Sequence, residues 1–461
     1  MRVSFGPLDG QNLRNTGGDA AAPTAPALAD KRRHALLCAM VELAGQRGYA
    51  SVTVARVLAR ANVSRSAFYK HFAGRDDCFL AALTALQQTL LAQLEQAVAS
   101  QAPEHAARAA VGALLAFADS RPAAARFLMS EALAGGRAAL DARDQGVDEI
   151  GRLVADRYQR IPTTTIVPDL PPAIVIGAVQ RLLGARLRRG VREHGALLDD
   201  LVGWIDSYGM PLQELRWSTR ALGPKPARSP LQPRVPLAAP ARTRVQLSAT
   251  RRAEDQRQRI VLATAEVVRR EGYRAATVAR IVELAGLHRR AFYELFADKE
   301  QALMAVQELS FRRAMAATAG AFFSAGSWPE RVWRAGRTFT RFLEQNPTLA
   351  RASLIESHAA GHAAVKGLED RNLAFTIFLQ EGYQHEPRLN EPPELALVAI
   401  AATNLETVYR QTRSCGNAAI TRLLPHLTYI CLGPFLGSAK ANSLIDSQLE
   451  GEDEFAQRIK A

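Results

Sequence analysis

The chain has 461 residues, of which 48% are hydrophobic, and it carries a formal net charge of +13 at pH 7. This length allows about two to four domains, and the excess of basic residues points to a polyanionic partner. No apolar run is long enough to span a membrane or to serve as a signal-peptide core, and four scattered cysteines argue against a zinc site or a disulfide framework and for a reducing, cytoplasmic setting.

The first predicted helix follows a tail, residues 1–30, whose Gly, Ala, Asn and Pro content predicts disorder. Apolar residues then recur at helical spacing over about residues 31–46, and Gly48 ends the helix. Thr53 lies where an N-cap belongs, at the start of a short helix that reaches about Ala61. Asn62 tolerates the left-handed conformation that a helix stop often requires, and Ser64 can cap the next helix.

Two short helices joined by a tight turn predict a helix-turn-helix, in which the second helix enters the major groove of DNA. Short polar and basic side chains lie near the start of that second helix, as such contacts require. Ala61, Phe68 and Phe72 instead fall on the inward stripe and are interpreted as core.

The sequence after the first head predicts a helical body, then a linker, and then a second head and body. Ala221 to Arg244 contains six prolines among basic residues, which is typical of a semi-extended linker. The predicted domains are a tail (1–30), a first head (31–77), a first body (78–217), a basic linker (218–250), a second head (251–301), a second body (302–437) and an acidic tail (438–461).

The second head repeats the first. The run TVARVLARANVSRSAFYKHFA, Thr53 to Ala73, returns as TVARIVELAGLHRRAFYELFA, Thr277 to Ala297, and 17 of the 50 positions of 33–82 and 257–306 are identical. Arg121 to Leu140 also resembles Asn346 to Val365, so a unit of about 200 residues was duplicated. The basic excess lies in the heads and the linker, as a DNA-contact surface would.

The head motif resembles the DNA-binding head of the tetracycline-repressor (TetR) family of transcriptional regulators. The residues that carry this resemblance are Gly48, Thr53, Ala61, Val63, Ser64, Phe68, Tyr69, His71, Phe72 and Arg75. The resemblance implies an all-α unit of nine helices, with three on DNA and the others forming an effector pocket and a dimer interface. The interface helices would be 171–189 with 196–208 in the first unit and 394–413 with 417–432 in the second.

The resemblance also implies DNA-contact roles. In the first head, Thr53, Tyr69, His71 and Arg75 match phosphate-contacting positions, Ser64, Arg65 and Ser66 match groove-facing positions, and Lys70 lies beside them. The corresponding residues of the second head are Thr277, His288, Arg289, Arg290, Tyr293 and Lys299. There, Lys70 is replaced by Glu294 and His71 by Leu295. These changes predict weaker DNA binding or another sequence preference, because a carboxylate repels phosphate.

The sequence indicates the effector-binding residues less clearly than the DNA-contacting ones. The candidate residues are Glu131, Tyr158, Glu356, His358, His362, Asn404 and Tyr409. The two histidines, spaced i and i+4 on one face of a predicted helix, suggest a metal or ligand pair, but no carboxylate lies at matched zinc spacing. Salt bridges to Arg126 and Arg351 would explain the two glutamates without a ligand. The composition favours an apolar pocket, and we expect no metal, cofactor or catalytic activity, since no catalytic motif occurs.

These features favour a DNA-binding regulator, by family habit a repressor, that is released by a small apolar effector. In one arrangement the two units form a pseudo-dimer within one chain, with two unlike heads on an asymmetric operator. In another, like units pair between two chains. An alternative function is a helical module for a small molecule or a partner protein, in which the second head no longer binds DNA.

Overall fold

The computed structural model describes residues 25–220, 249–385 and 392–460, and in these ranges the chain is helical apart from one pair of short strands. The predicted all-α class is confirmed. The chain divides into two compact units. Among the described residues, the first comprises 25–162 and 171–202, and the second comprises 163–170, 203–220, 249–385 and 392–460.

The first unit begins with a three-helix head and continues into a helical body. Its helices are α1 (Ala25–Arg47), α2 (Val54–Ala61), α3 (Arg65–Tyr69), α4 (Arg75–Ala99), α5 (Ala106–Ser120), α6 (Pro122–Arg126), α7 (Ala132–Ala134), α8 (Arg137–Tyr158) and α9 (Pro172–Arg188). A π-helical turn, Phe127–Glu131, joins α6 to α7. The next helix, α10 (Leu198–Asp206), contains the boundary between the two units.

The second unit repeats this plan. Its helices are α11 (Ala249–Glu271), α12 (Val278–Ala285), α13 (Arg289–Leu295), α14 (Lys299–Phe322), α15 (Trp328–Gln345), α16 (Pro347–Leu354), α17 (His362–Ala374), α18 (Leu395–Cys415), α19 (Leu424–Leu436) and α20 (Ser438–Lys460). Three 3₁₀ segments, Glu356–Ala359, Phe375–Gln384 and Gly416–Leu423, connect its later helices. The strands β1 (Ile166–Pro168) and β2 (Gly209–Pro211) pair antiparallel, with Val167 opposite Met210.

The segment that precedes the linker is anchored within the second unit. The buried Tyr208 hydroxyl donates a hydrogen bond to the Ile430 carbonyl on α19 at 2.7 Å. Farther along, the Arg220 guanidinium donates to Asn442 Oδ1 on α20 at 2.6 Å and lies 3.3 Å from the carboxylate of Asp169. Both members of this ion pair are almost fully buried. A buried pair of this kind fixes geometry, because separating it would leave an uncompensated charge.

Two segments that were predicted as tails are helical in the structure. Helix α1 begins at Ala25, so residues 25–30 of the predicted disordered tail are helical. The predicted acidic tail is the helix α20, which buries Ala441 and Ile445. These two side chains are four residues apart and lie on one helix face, which the acidic residues that follow them obscure in the sequence. The proline-rich run 221–244 and the tail residues 1–24 lie outside the described residues.

No helix in the described ranges is both long enough and apolar enough to cross a membrane.

Candidate nucleic-acid interface

The helix-turn-helix of the first head is built by local capping. The Thr53 side chain accepts a hydrogen bond from the Arg56 amide at 3.3 Å and begins α2. Asn62 ends α2 in the left-handed region, at φ 52° and ψ 47°. The Ser64 hydroxyl then accepts from the Ala67 amide at 3.3 Å and begins α3. These contacts satisfy helix-end groups that would otherwise lack partners, and they orient α3.

The buried face of α3 holds the helix in the head, and its other face is open. Phe68 and Phe72 are buried with ring centroids 5.5 Å apart, in agreement with their predicted core role, whereas Ala61 is half-buried. The predicted groove-facing residues Ser64, Arg65 and Ser66 are all exposed, as is Lys70.

The aromatic and basic side chains on this face support one another. Tyr69 is 49% exposed, and the Arg65 guanidinium lies over its ring at 5.8 Å from the centroid. This contact leaves the guanidinium donors of Arg65 at the protein surface, where they can bind a phosphate or a guanine edge. His71 is half-buried beside Phe72, so it lies at the margin of the exposed face.

The second head has the same backbone. The Thr277 side chain accepts from the Arg280 amide at 3.3 Å, and Gly286 ends α12 at φ 62° and ψ 40°. Arg289 is exposed near the start of α13, and Tyr293 is 53% exposed. His288 occupies the N-cap position without a side-chain capping bond, which leaves its imidazole at the surface.

The exposed face of α13 differs in charge from that of α3. Arg290 Nε donates to Glu294 Oε1 at 2.9 Å, so its positive charge is compensated within the helix. Leu295 packs against the core of the second head, where the first head has His71. The second head therefore presents a smaller positive surface, which was the direction predicted from Glu294 and Leu295.

The structure gives Arg75 and Lys299 roles inside the heads. The Lys299 ammonium contacts the carbonyl oxygens of Tyr273, Arg274 and Ala276 at 2.9, 3.4 and 3.0 Å. Burial lowers its pKa. Arg75 likewise donates to the Val52 carbonyl at 3.2 Å. These cations tie the start of α4 or α14 to the loop before α2 or α12 and so position the head. Their contact with phosphate stays a prediction.

The two glutamates predicted as effector residues lie instead at the junction of head and body. Glu131 Oε2 accepts from the Tyr49 amide at 2.8 Å, and Glu356 Oε2 accepts from the Tyr273 amide at 3.0 Å. The salt bridges predicted as the simpler explanation are both present, from Arg126 to Glu131 and from Arg351 to Glu356, each at 3.8 Å. The carboxylates thus connect each body to the segment that follows the first helix of its own head.

The histidine pair predicted from spacing is not on one helix. His358 belongs to the 3₁₀ segment and His362 begins α17, because Gly361 at φ 128° breaks the chain direction between them. Among the described residues, no group of three or more His, Cys, Asp or Glu side chains is arranged to hold a metal ion.

Asn404 is the predicted effector residue that lines a cavity. The cavity lies in the body of the second unit between α14, α15 and α17–α19, and it has a volume of about 820 Å³, part of which is open to solvent. Tyr409 is buried beside Arg413, and Tyr158 is buried at the end of α8. The sequence prediction missed Thr428 and Cys431, which share the cavity wall with Asn404. Only the packing of α18 against α19 brings these residues together.

The comparisons with known proteins agree with the geometry of the heads. The family model for bacterial regulatory proteins of the tetR family matches at residues 36–82 and again at 260–306. The chain therefore carries the DNA-binding domain of the TetR family twice. This domain indicates a DNA-binding regulator. No curated protein matches the chain.

Solved structures of TetR-type regulators are similar to parts of the chain. The fatty acid degradation regulator FadR from Bacillus halodurans is 19% identical over 39% of this chain and 96% of its own, with a TM-score of 0.36. PfmR from Thermus thermophilus is 19% identical over 38% and 96%, with a TM-score of 0.31. A TetR-family regulator from Syntrophomonas wolfei str. Goettingen is 22% identical over 40% and 98%, with a TM-score of 0.33.

Proposed function

We propose that this chain is a cytoplasmic, ligand-responsive repressor of the TetR family whose two unlike heads read the two halves of an asymmetric operator. The observation that carries the proposal is that each head exposes an arginine, Arg65 or Arg289, at the first position of its recognition helix. A guanidinium at this position can pair bidentately with guanine in the major groove.

A pseudo-dimer within one chain is supported by the anchoring of the segment before the linker. Tyr208 and Arg220 are bound to α19 and α20 within the second unit, so the chain is fixed on that unit before the linker begins. A covalent linker raises the effective concentration of the internal partner over that of a second chain. One chain then supplies both heads.

Repression would be relieved through the second body. An effector in the cavity of that body binds one arrangement of its helices more tightly and shifts the population toward it. If this arrangement changes the separation of the two heads, they no longer fit successive major grooves, which lie about 34 to 36 Å apart. Glu356 provides a direct route, since it connects the body to the Tyr273 amide of the second head.

A second candidate function is favoured by the pairing of Arg290 with Glu294. In this alternative the second head has lost DNA binding, and the chain acts as an effector-binding or partner-binding module with one DNA-binding head. The two candidates differ in how many heads contribute to DNA affinity.

Light scattering and DNA titration of the full chain separate these candidates. The DNA is a duplex selected from a random-sequence library for binding to the wild-type protein. We expect one chain per duplex, with Arg65→Ala and Arg289→Ala each weakening binding by about tenfold or more. Arg137→Ala, at an exposed position of the first body, is the matched control and should leave binding unchanged. Two chains per duplex, with only Arg65→Ala harmful, would reject the pseudo-dimer.

A further inference from the structure

The cavity of the second body has an apolar, uncharged wall. Phe339, Phe375 and Phe378 form one side of it, with centroid separations of 5.1 Å for Phe339 and Phe375 and 6.4 Å for Phe375 and Phe378. No Asp, Glu, Lys, Arg or His is among the described residues that line it. A charged ligand would lose its hydration there without gaining an ionic partner, so the cavity selects a neutral molecule.

Most polar side chains in this wall are already satisfied by the protein. Asn372 donates to the Ala401 carbonyl at 2.8 Å, Thr376 to the Leu373 carbonyl at 2.7 Å, and Thr318 to the Ala314 carbonyl at 2.7 Å. These donors already have acceptors within the protein and need no ligand.

Two polar atoms in the same wall have no hydrogen-bond partner. They are Asn404 Oδ1 on α18 and Thr428 Oγ1 on α19, and both atoms are buried. The Asn404 amide nitrogen contacts Cys431 Sγ at 3.3 Å, which links the two helices and directs the amide. An unsatisfied buried polar atom costs about 1 to 3 kcal/mol, so a ligand that satisfies it gains affinity over one that does not.

Gly336 on α15 also lines the cavity beside these atoms. A methyl group added to it would contact Thr428 Oγ1 at 3.7 Å and would crowd Leu424 Cδ1 at 3.1 Å, so this position has little room for a side chain. Burial raises the pKa of the Cys431 thiol to about 11, against a smaller lowering by Asn404, so the thiol stays neutral near pH 7. The polar end of the cavity therefore offers an amide oxygen and a hydroxyl, without a charge.

We propose that the second body binds a neutral, largely apolar effector that carries one hydroxyl group, and that this hydroxyl donates to Asn404 Oδ1 and accepts from Thr428 Oγ1. The inference rests on the proposed function only in calling the ligand an effector. The chemistry of the site is independent of whether the heads bind DNA.

Three matched probes test this chemistry in the full chain by isothermal titration calorimetry without DNA. They are 4-pentylphenol, pentylbenzene and 4-pentylbenzoate, which share an alkylbenzene body and differ in the polar group. We expect the phenol to bind about tenfold more tightly than the hydrocarbon, as one added hydrogen bond in a buried site provides, and the benzoate not to bind.

Two variants and one control test whether Asn404 and Thr428 cause the preference for the phenol over the hydrocarbon. Thr428→Val and Asn404→Leu should each remove most of the preference for the phenol while the hydrocarbon still binds. The hydrocarbon titration also reports that the variant has folded. Thr403→Val, one position from Asn404, is the control, because the Thr403 hydroxyl bonds to the Ala399 carbonyl and does not line the cavity. Equal affinity of the wild type for phenol and hydrocarbon, preferred binding of the benzoate, or no binding of any probe would overturn the inference.

A DNA titration with saturating 4-pentylphenol separates this inference from the proposed function. Weaker DNA binding with the phenol supports both. Unchanged DNA affinity, with the phenol bound as expected, would remove the effector role from the proposed function and leave the assignment of the ligand chemistry in place.

Discussion

The two heads of this chain share a backbone and differ in the surface that it presents. Thr53 and Thr277 cap their helices at the same distance, 3.3 Å, and the residues that end those helices have nearly the same left-handed φ and ψ. By contrast, the exposed positions of the recognition helix changed from Lys70 to Glu294 and from His71 to Leu295. The two copies thus keep the same backbone conformation, while their exposed positions differ in charge.

The two bodies differ more than the heads. The cavity of the second body has an apolar wall and a volume of about 820 Å³, part of it open to solvent. The cavity described in the first body is smaller, about 330 Å³, and Gln87, Arg143, Glu149 and Gln180 contribute to its wall. The duplicated unit thus holds an apolar site in one copy and a small, polar one in the other, which favours the second body as the effector-binding copy.

We expect the largest effect from substitutions of Glu131 and Glu356, whose carboxylates connect the bodies to the heads. Glu131→Ala leaves the Tyr49 amide, which is buried in the first head, without its acceptor, and should destabilise that head locally by about 1 to 3 kcal/mol. Glu356→Ala should cost less, because Glu356 and Tyr273 are both more exposed than their counterparts. Hydrogen exchange of peptides that contain Tyr49 or Tyr273 measures each effect separately.

Arg126→Ala is the control for the first head, since it removes the distant cation at 3.8 Å but keeps the hydrogen bond from the carboxylate to the amide. It should change the exchange of Tyr49 less than Glu131→Ala does. Equal losses of protection for the glutamate and arginine variants would show that the ion pair, and not the bond to the amide, connects the body to the head.

An intermediate effect is expected when the second head is given the charge of the first. Glu294→Lys removes a carboxylate from the DNA-facing helix and frees Arg290 from its ion pair. DNA affinity should rise by about tenfold at low salt, and the dependence of affinity on salt should become steeper, because additional phosphate contacts release counterions. Fluorescence anisotropy at several salt concentrations measures both quantities.

Glu104→Lys makes the same change of charge at an exposed position outside both heads and is the control for general attraction to DNA. If Glu294→Lys affects affinity no more than Glu104→Lys, then the second head does not contact DNA, and the alternative with a single DNA-binding head is preferred.

Sequence reasoning was most successful where the physical cause is local. The caps Thr53 and Ser64 and the turn at Asn62 each act on backbone atoms within a few residues, so their identity and spacing were sufficient to place them. The same holds for the inward side chains Phe68 and Phe72, whose helical spacing marks a buried face.

It was less successful where the partner is distant in sequence. Glu131 binds an amide 82 residues away, and no local pattern distinguishes such a glutamate from a pocket residue. Thr428 became a candidate only when α19 packed beside α18 and placed it in the same wall as Asn404. The histidine pair was misjudged because Gly361 interrupts the helix that its spacing assumed.

The smallest effect tests the turn that the two heads make with different residues. Asn62 and Gly286 both adopt positive φ, at 52° and 62°, where a residue with an ordinary side chain is disfavoured by about 1 to 2 kcal/mol. Asn62→Ala should therefore destabilise α2 by about 1 kcal/mol, whereas Asn62→Gly should be nearly neutral. Hydrogen exchange along α2 reports both.

Gly286→Ala should cost somewhat more than Asn62→Ala. Its added methyl group would lie 2.9 Å from Arg259 Nη2, so that guanidinium must move and loosen its hydrogen bonds to the Ala285 and Gly286 carbonyls. Gly286→Asn introduces the residue of the first head and separates the two causes, because asparagine tolerates the backbone conformation but still displaces Arg259. A loss of protection along α12 from Gly286→Asn as large as from Gly286→Ala would assign the cost to Arg259, and a near-neutral result would assign it to the backbone.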